Sequence, residues 1–247
     1  MSDKLSIGTK SSNAFKFKQF EIVQEQCTMK VNTDGVLLGA WTNTSNCQAI
    51  LDIGTGTGVI ALMMAQKAVD AQITGIEIDP PSSAEAQFNV NQSKFKGRVK
   101  IVNQSIQDFS RESVHVYDLI ISNPPFFTGG TFSANENKAN VRHTIKLPHG
   151  DLLQAVNHLL SPDGQFSLIL PYIEGLRFIE LAERSNLHVA RMTEVRHHKG
   201  KSVERLLILL QKRKAIPVQD ELFIMEDDLL NYSPAFISLT KDFYQIF

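Results

Sequence analysis

The residues best suited to chemistry form the tetrapeptide Asn123-Pro124-Pro125-Phe126, which follows the apolar run 117–122. Two consecutive prolines cannot continue a central strand, because neither has an N–H group to donate. The chain is therefore expected to leave a sheet at Asn123, at the carboxyl end of a strand, where open α/β sheets place ligands. The Asn123 amide oxygen and the Pro124 carbonyl can each accept one N–H of a planar amine, and Phe126 can stack on a flat base. The tetrapeptide predicts methyl transfer to an exocyclic amine; a strand-ending turn with a buried Phe126 is the open alternative.

A second candidate group is the glycine run Asp52-x-Gly54-x-Gly56-x-Gly58, which lies between a strand pattern and a helical pattern. Glycines let a turn tighten and let a ligand approach the backbone closely. The spacing differs from the G-x-G-x-x-G of dinucleotide sites. Asp52 adds a carboxylate that can hold the ammonium group of S-adenosylmethionine. The run therefore predicts a site for that cofactor.

A third candidate is Glu77, which ends the next strand pattern and is followed by Ile78. A carboxylate at such a position can accept both hydrogen bonds of a ribose diol. Ile78 is expected to line the same site. The glycine run, Glu77 and Asn123 would then lie at the ends of three strands, and this set favours a functional site over a purely structural one.

The elements that must position these residues alternate along the chain, which predicts an α/β fold with a mostly parallel sheet and helices on both faces. A capping-box pattern, Ser82-x-x-Glu85, is expected to open the helix that ends at Gln92. A closing antiparallel pair is predicted at 187–194 and 204–211. The other predicted strands are 49–53, 72–78, 98–102, 117–122 and 165–170.

The segment before the first of these strands is expected to form a small appendage. The alternation of Phe15 to Phe20 predicts a half-buried strand, and 21–24 and 28–31 can complete a β-ribbon with it. Thr33 and Asp34 precede an apolar helical stretch that ends at Trp41. Each of the two is expected either to cap that helix or to bind the cofactor.

Composition and charge set broader limits. The chain has 247 residues, 43% of them hydrophobic, with a formal net charge of −1. We expect one methyltransferase-sized domain, divided into an appendage (1–45), a catalytic core (46–216) and a tail packed on the core (217–247). Its two cysteines have no metal or redox spacing, and no apolar stretch reaches membrane-spanning length. We expect a cytoplasmic monomer that needs neither metal nor membrane.

At these motifs the chain resembles the class I S-adenosylmethionine-dependent methyltransferases of the N-P-P-aromatic type. It is most similar to the bacterial tRNA methyltransferases that modify the N6 amine of adenine 37 in a valine tRNA. The resemblance rests on six segments that span nearly the whole chain: 15–20, 29–41, 52–58, 122–126, 142–144 and 239–244. It implies a Rossmann-like fold, with a seven-stranded sheet that contains one antiparallel strand, and a tRNA substrate.

The resemblance also draws attention to a departure at Ser105. Such enzymes commonly carry an Asp there to hold the adenine amine of the cofactor. Contact with the adenine is then expected to involve Ser105 itself, the Ile106 amide, and Gln107 or Asp108.

The charge is unevenly distributed. Residues 191–214 hold eight Lys or Arg and two Glu, whereas the rest of the chain holds 17 basic and 24 acidic residues. Such a focus predicts phosphate contacts, although a solvated strand and loop would have the same composition. The predicted RNA-binding residues are Arg142, His143, Arg196, Lys199, Lys201 and Arg205.

Three other functions fit part of these observations. The first is methylation of a protein glutamine amide, which presents the same planar N–H₂ group; the basic run argues against it. The second is methylation of an adenine N6 amine in ribosomal RNA or DNA, because enzymes of those kinds share the tetrapeptide. The third is a non-catalytic RNA-binding protein that retains the fold, for which Ser105 is the only indication.

Overall fold

Two sheets and seven helices make up the part of the chain that the computed structural model describes, residues 14–27, 29–124 and 147–247. The strands are β1 (Phe15–Lys16), β2 (Glu21–Ile22), β3 (Ala49–Ile53), β4 (Gln72–Glu77), β5 (Val99–Asn103), β6 (Tyr117–Ser122), β7 (Leu160–Pro171), β8 (His188–Arg196), β9 (Arg205–Gln211) and β10 (Val218–Phe223). The helices are α1 (Thr33–Trp41), α2 (Val59–Lys67), α3 (Pro80–Gln92), α4 (Ile106–Glu112), α5 (His149–Leu159), α6 (Tyr172–Arg184) and α7 (Pro234–Thr240).

The large sheet has the strand order β10-β8-β9-β7-β6-β3-β4-β5. Strand β9 runs antiparallel to β7 and β8, and the other pairings are parallel. The predicted Rossmann-like α/β fold with one antiparallel strand is therefore confirmed. The sheet has one strand more than the seven predicted, because part of the expected tail pairs with the edge of β8 as β10.

Helices cover both faces of the sheet and form two cores. Helices α1, α2, α3 and α7 pack on one face together with the N-terminal aromatic residues. Helices α4, α5 and α6 pack on the other face. The central strands are consequently buried on both sides, which explains their continuous apolar sequences.

Several local predictions needed correction. The predicted ribbon forms as β1 and β2, but each strand has only two residues, and residues 29–31 are in no strand. Helix α3 begins at Pro80 with Asp79 as its N-cap, because the Asp79 carboxylate accepts the Ser82 amide at 3.0 Å. The predicted capping box is therefore wrong: the Glu85 carboxylate accepts hydrogen bonds from residues 25–27 instead.

Candidate active site

The carboxyl ends of β3, β4 and β6 are neighbours in the sheet, and a cavity of about 620 Å³ opens beside them. This volume lies within the usual range for small-molecule sites. Eight residues predicted from the sequence line it: Gly54, Gly56, Glu77, Ile78, Ile106, Gln107, Asn123 and Pro124. Pro125 and Phe126 lie outside the described residues.

The glycine turn follows β3 directly. Gly54, Gly56 and Gly58 all have positive φ, at 72°, 54° and 81°. L-residues with a side chain rarely adopt this conformation, so the alternation of glycines has a backbone cause. Gly54 and Gly56 line the cavity. Gly58 is instead the N-cap of α2, where an added Cβ would lie 3.4 Å from Ala86 Cβ.

Asp52 contacts this turn on the side away from the cavity. Its side chain is fully buried, and its Oδ2 accepts a 2.6 Å hydrogen bond from Thr55 Oγ1. Burial raises the pKa of Asp52 to about 7, although the Thr55 hydroxyl lowers it. Asp52 is not among the residues that line the cavity. Its position indicates a role in holding the turn, whereas the sequence predicts direct contact with a cofactor ammonium.

Glu77 joins the turn to the end of β4. Its Oε2 accepts the Gly56 amide at 2.9 Å and its Oε1 accepts the Asp79 amide at 2.9 Å. These two bonds fix the carboxylate at the cavity wall, and each oxygen retains a lone pair. A carboxylate in this position can accept further hydrogen bonds, and binding of a ribose diol by Glu77 stays a prediction.

Asn123 lies where the chain leaves β6, as predicted. Its Oδ1 is buried and has no hydrogen-bond partner among the described residues. A buried polar atom without a partner costs about 1–3 kcal/mol. Because Asn123 lines the cavity beside Pro124, this oxygen is available to an N–H donor that enters it.

Helix α1 forms the neighbouring wall. Its N-cap is Asn32, whose side chain accepts the Gly35 amide at 2.9 Å, so the alternative in which Thr33 or Asp34 caps the helix is wrong. Asn32 and Gly35 line the cavity, whereas Thr33 and Asp34 do not. The Asp34 carboxylate instead pairs with the Arg205 guanidinium at 2.8 Å.

Ser105 also has a structural partner. Its Oγ caps α4 by accepting the Asp108 amide at 3.0 Å, and it is not among the lining residues. Ile106 and Gln107 line the cavity beyond Glu77, together with Gln104. Of the residues predicted to contact a cofactor adenine, Ile106 and Gln107 therefore line the cavity, whereas Ser105 and Asp108 do not.

Four of the six predicted RNA-binding residues, Arg196, Lys199, Lys201 and Arg205, lie at the same edge of the sheet. Pro171 at the end of β7 pairs with Arg205, so the turn between β8 and β9 projects from the carboxyl edge. Lys199 and Lys201 are exposed on it. The Arg196 guanidinium pairs with Glu194 at 2.7 Å. Arg142 and His143 lie outside the described residues.

Sequence reasoning missed one wall of the cavity. Cys27, Met29, Lys30 and Val31 line it from the N-terminal side, and Leu147 lines it from the other side. Met29, Lys30 and Val31 belong to a segment on which the family resemblance rests, so that resemblance could have pointed to them. Cys27 and Leu147 carry no comparable signal in the sequence.

Two kinds of feature are absent from the described ranges. They contain no group of three or more His, Cys, Asp or Glu placed to hold a metal ion. They also contain no helix that is both long enough and apolar enough to cross a bilayer.

Comparison with known proteins bears on this site. A family model described as the methyltransferase small domain matches residues 31–170. The chain is 44% identical over 234 residues to the tRNA1(Val) (adenine(37)-N6)-methyltransferase of Trichodesmium erythraeum (strain IMS101), covering 94% of this chain and 98% of that protein. The protein of the same name from Haemophilus influenzae (strain PittEE) is 40% identical, with coverage of 94% and 98%. The crystal structure of a predicted O-methyltransferase from Agrobacterium tumefaciens has the same fold, with a TM-score of 0.67. The two sequences are 16% identical, and the match covers 85% of this chain and 96% of that chain.

Proposed function

We propose that this chain, which belongs to the family of the tRNA1(Val) (adenine(37)-N6)-methyltransferases, methylates the N6 amine of adenine 37 in a valine tRNA. The methyl donor is S-adenosylmethionine. The protein is thus an enzyme of nucleic-acid modification, and we expect it to act in the cytoplasm as a monomer.

The observation that carries this proposal is the buried, unpartnered Oδ1 of Asn123 in a cavity beside a glycine turn. An exocyclic adenine amine is a poor nucleophile, because its lone pair is delocalised into the ring. Hydrogen bonds from its two N–H groups to Asn123 Oδ1 and the Pro124 carbonyl would orient the lone pair toward the donor. Holding the two reacting groups in this orientation, in a site without water, lowers the barrier to methyl transfer.

The described residues also fit the cofactor. S-adenosylmethionine, when bound, supplies a methyl group activated by a positively charged sulfur. Glu77 would accept hydrogen bonds from its ribose, and the backbone of Gly54 and Gly56 allows close approach. Ile106 and Gln107 would border its adenine. Gln107 Nε2 already donates to Asp151 at 3.1 Å, which fixes the side chain at this wall.

No lining carboxylate is well placed to act as a general base within the described ranges. Glu77 and Asp79 both line the cavity, but each accepts backbone amides at 2.9–3.0 Å. We therefore propose that Asn123 acts as a hydrogen-bond acceptor only. The amine proton would then leave to solvent after transfer.

The RNA surface in this proposal is the turn between β8 and β9. Lys199 and Lys201 are exposed at the carboxyl edge, on a turn whose two flanking strands lie two and three strand spacings from β6, or roughly 10–14 Å. Arg196 pairs with Glu194 and Arg205 pairs with Asp34. Each arginine would contact a phosphate only if it shared or gave up its acidic partner. We expect the two lysines to provide the main phosphate contacts.

The test is incubation of the enzyme with labelled S-adenosylmethionine and either unmodified total tRNA or purified release factor. Label in tRNA, recovered as N6-methyladenosine, is the expected result. A valine tRNA transcript with guanine at position 37 is the matched control and should remain unlabelled. Label in release factor alone would instead assign the glutamine activity, and label in neither would support the non-catalytic alternative.

A further inference from the structure

The N-terminal wall of the cavity has an unusual construction. We call residues 23–27 and 29–31 the strap. The strap contributes Cys27, Met29, Lys30 and Val31 to the cavity but forms no strand or helix. The buried backbone N–H and C=O groups of such a segment must form their hydrogen bonds with other parts of the protein.

Side chains of α3 bind five of these groups. The Glu85 carboxylate accepts three consecutive strap amides, from Glu25 at 2.6 Å, Gln26 at 2.9 Å and Cys27 at 2.8 Å. Glu85 is only 6% exposed. Asn89 adds two bonds to Val23, accepting its amide and donating to its carbonyl, both at 2.9 Å. The three bonds to the Glu85 carboxylate are charge-assisted, and such bonds are about twice as strong as neutral ones.

The two ends of the strap lie near different parts of the cavity, the glycine turn and Asn123. At one end, Cys27 Sγ lies 3.5 Å from the position that a Cβ on Gly56 would occupy. At the other end, Asn32 follows the strap and lies near Asn123. A Cβ on Gly35 would be 3.6 Å from Asn32 Oδ1 and 3.8 Å from Asn123 Nδ2. Lys30 lies between these two ends.

The charges along the cavity are unequal. Among the described lining residues, Lys30 is the one cationic side chain, whereas Glu77 and Asp79 are anionic. Lys30 takes part in none of the ion pairs found among the described residues. The methionine part of the cofactor carries one carboxylate, which requires a cation or N–H donors when it leaves water.

We propose that Lys30 binds the α-carboxylate of the cofactor's methionine part, and that Glu85 is the positioning residue that holds the strap where Lys30 can reach it. This inference rests on the proposed function, because it takes S-adenosylmethionine as the ligand. It assigns to the strap the end of the cofactor opposite to the one bordered by Ile106 and Gln107.

Two ligands separate this role from a general effect on the site. S-adenosylhomocysteine retains the carboxylate, whereas 5′-methylthioadenosine lacks the whole amino-acid part. By calorimetry without RNA, Lys30→Met should bind S-adenosylhomocysteine about tenfold more weakly than wild type and methylthioadenosine within twofold of wild type. This tenfold loss of affinity is at the low end of the range for a hydrogen bond between charged groups, because Lys30 is exposed to solvent in the free protein. Lys30→Arg should restore most of the affinity, and the matched control is Lys100→Met, because Lys100 is an exposed residue of the edge strand β5.

The role of Glu85 is tested by a double-mutant cycle. Glu85→Gln should weaken both ligands, and Lys30→Met should add no further loss for S-adenosylhomocysteine in that background. A Glu85 that merely stabilises the fold predicts additive losses. If Glu85→Gln does not fold, the comparison of the two ligands with the Lys30 variants still decides the carboxylate assignment.

Three results would overturn the inference. One is an unchanged affinity of Lys30→Met for S-adenosylhomocysteine. If tRNA binding weakens at the same time, Lys30 contacts the RNA backbone and not the cofactor. Another is an equal loss for both ligands with Lys30→Met. The last is additivity in the cycle, which would remove the role of Glu85. A wild-type protein that binds neither ligand would refute the proposed function itself, so the two failures are distinguishable.

Discussion

Replacing Asn123 by Ala should separate catalysis from stability. In the ligand-free protein the Asn123 Oδ1 is buried without a partner, so the fold gains nothing from it. Its removal relieves a desolvation cost of about 1–3 kcal/mol, which offsets the packing that the amide provides. We therefore expect the free energy of unfolding of Asn123→Ala to stay within about 1 kcal/mol of wild type.

Turnover should respond very differently. In the transition state the amine nitrogen gains positive charge, and Oδ1 is placed to stabilise its N–H groups. Loss of one such preorganised partner typically lowers kcat by about 10²–10³, or about 2.7–4 kcal/mol. The Pro124 carbonyl remains in the variant, so some activity should persist. Affinity for S-adenosylhomocysteine should be nearly unchanged, because Oδ1 acts on the acceptor amine.

The assay combines single-turnover methylation of unmodified valine tRNA, calorimetry with S-adenosylhomocysteine, and urea unfolding. Asn91→Ala, an exposed amide on α3, serves as the matched control and should behave as wild type. Turnover of Asn123→Ala within a few-fold of wild type would refute the catalytic role. A large loss of stability would show that the amide serves the strand-ending turn instead.

Three further predictions concern the cofactor site, the basic turn and the glycine turn. Glu77→Gln should weaken S-adenosylhomocysteine binding by about 1.5–3 kcal/mol, because one oxygen acceptor becomes a donor; unchanged affinity in calorimetry would remove the ribose role. Replacing Lys199 and Lys201 together with Ala should weaken tRNA binding and flatten the slope of log affinity against log salt by about one unit for each phosphate that is no longer neutralised, while cofactor affinity stays unchanged. For Asp52, the folded pKa of about 7 lies above the ordinary 3.8, so its contribution to stability is present at low pH and is lost as pH rises through about 7. Asp52→Asn, which cannot titrate, should therefore lose about 2–3 kcal/mol less stability than wild type between pH 5 and pH 8 in urea titrations.

Controls for these variants come from the chain itself. Lys94 and Lys96 have the same spacing as the two lysines of the β8–β9 turn and lie near the opposite edge of the sheet, before β5. Their joint replacement by Ala should leave the salt slope unchanged. Parallel salt plots for wild type and the Lys199 and Lys201 variant would exclude that turn from the RNA interface. An equal pH dependence of stability in wild type and Asp52→Asn would contradict the buried titration.

The sequence was most informative where chemistry and local backbone geometry coincide. The ends of β3, β4 and β6 could be predicted because glycine, proline and carboxylate residues interrupt apolar runs there. Asn123, Glu77 and Gly56 consequently lie at the cavity as expected.

Sequence reasoning was less informative where a side chain had two equally suitable local partners. Asn32, Thr33 and Asp34 can all cap a helix, and only the tertiary pair with Arg205 explains why Asp34 does not. Ser82-x-x-Glu85 has the spacing of a capping box, but Glu85 accepts amides some 60 residues earlier in the chain. The strap and β10 depend on such distant partners, which no periodicity reveals.

The acceptor wall of the cavity is likewise a product of distant segments. Helix α1 is apolar on all sides, so its own sequence does not fix its orientation. At its first turn Asp34 pairs with Arg205 of β9, and at its end the Trp41 indole donates to Thr193 Oγ1 of β8 at 2.8 Å. Asp220 of β10 in turn accepts from Thr193. Gly35, which lies beside Asn123, is therefore held in place by the three strands beyond β7. The strands that carry the basic turn therefore also fix the cavity wall beside Asn123, which couples segments 33–41 and 191–223.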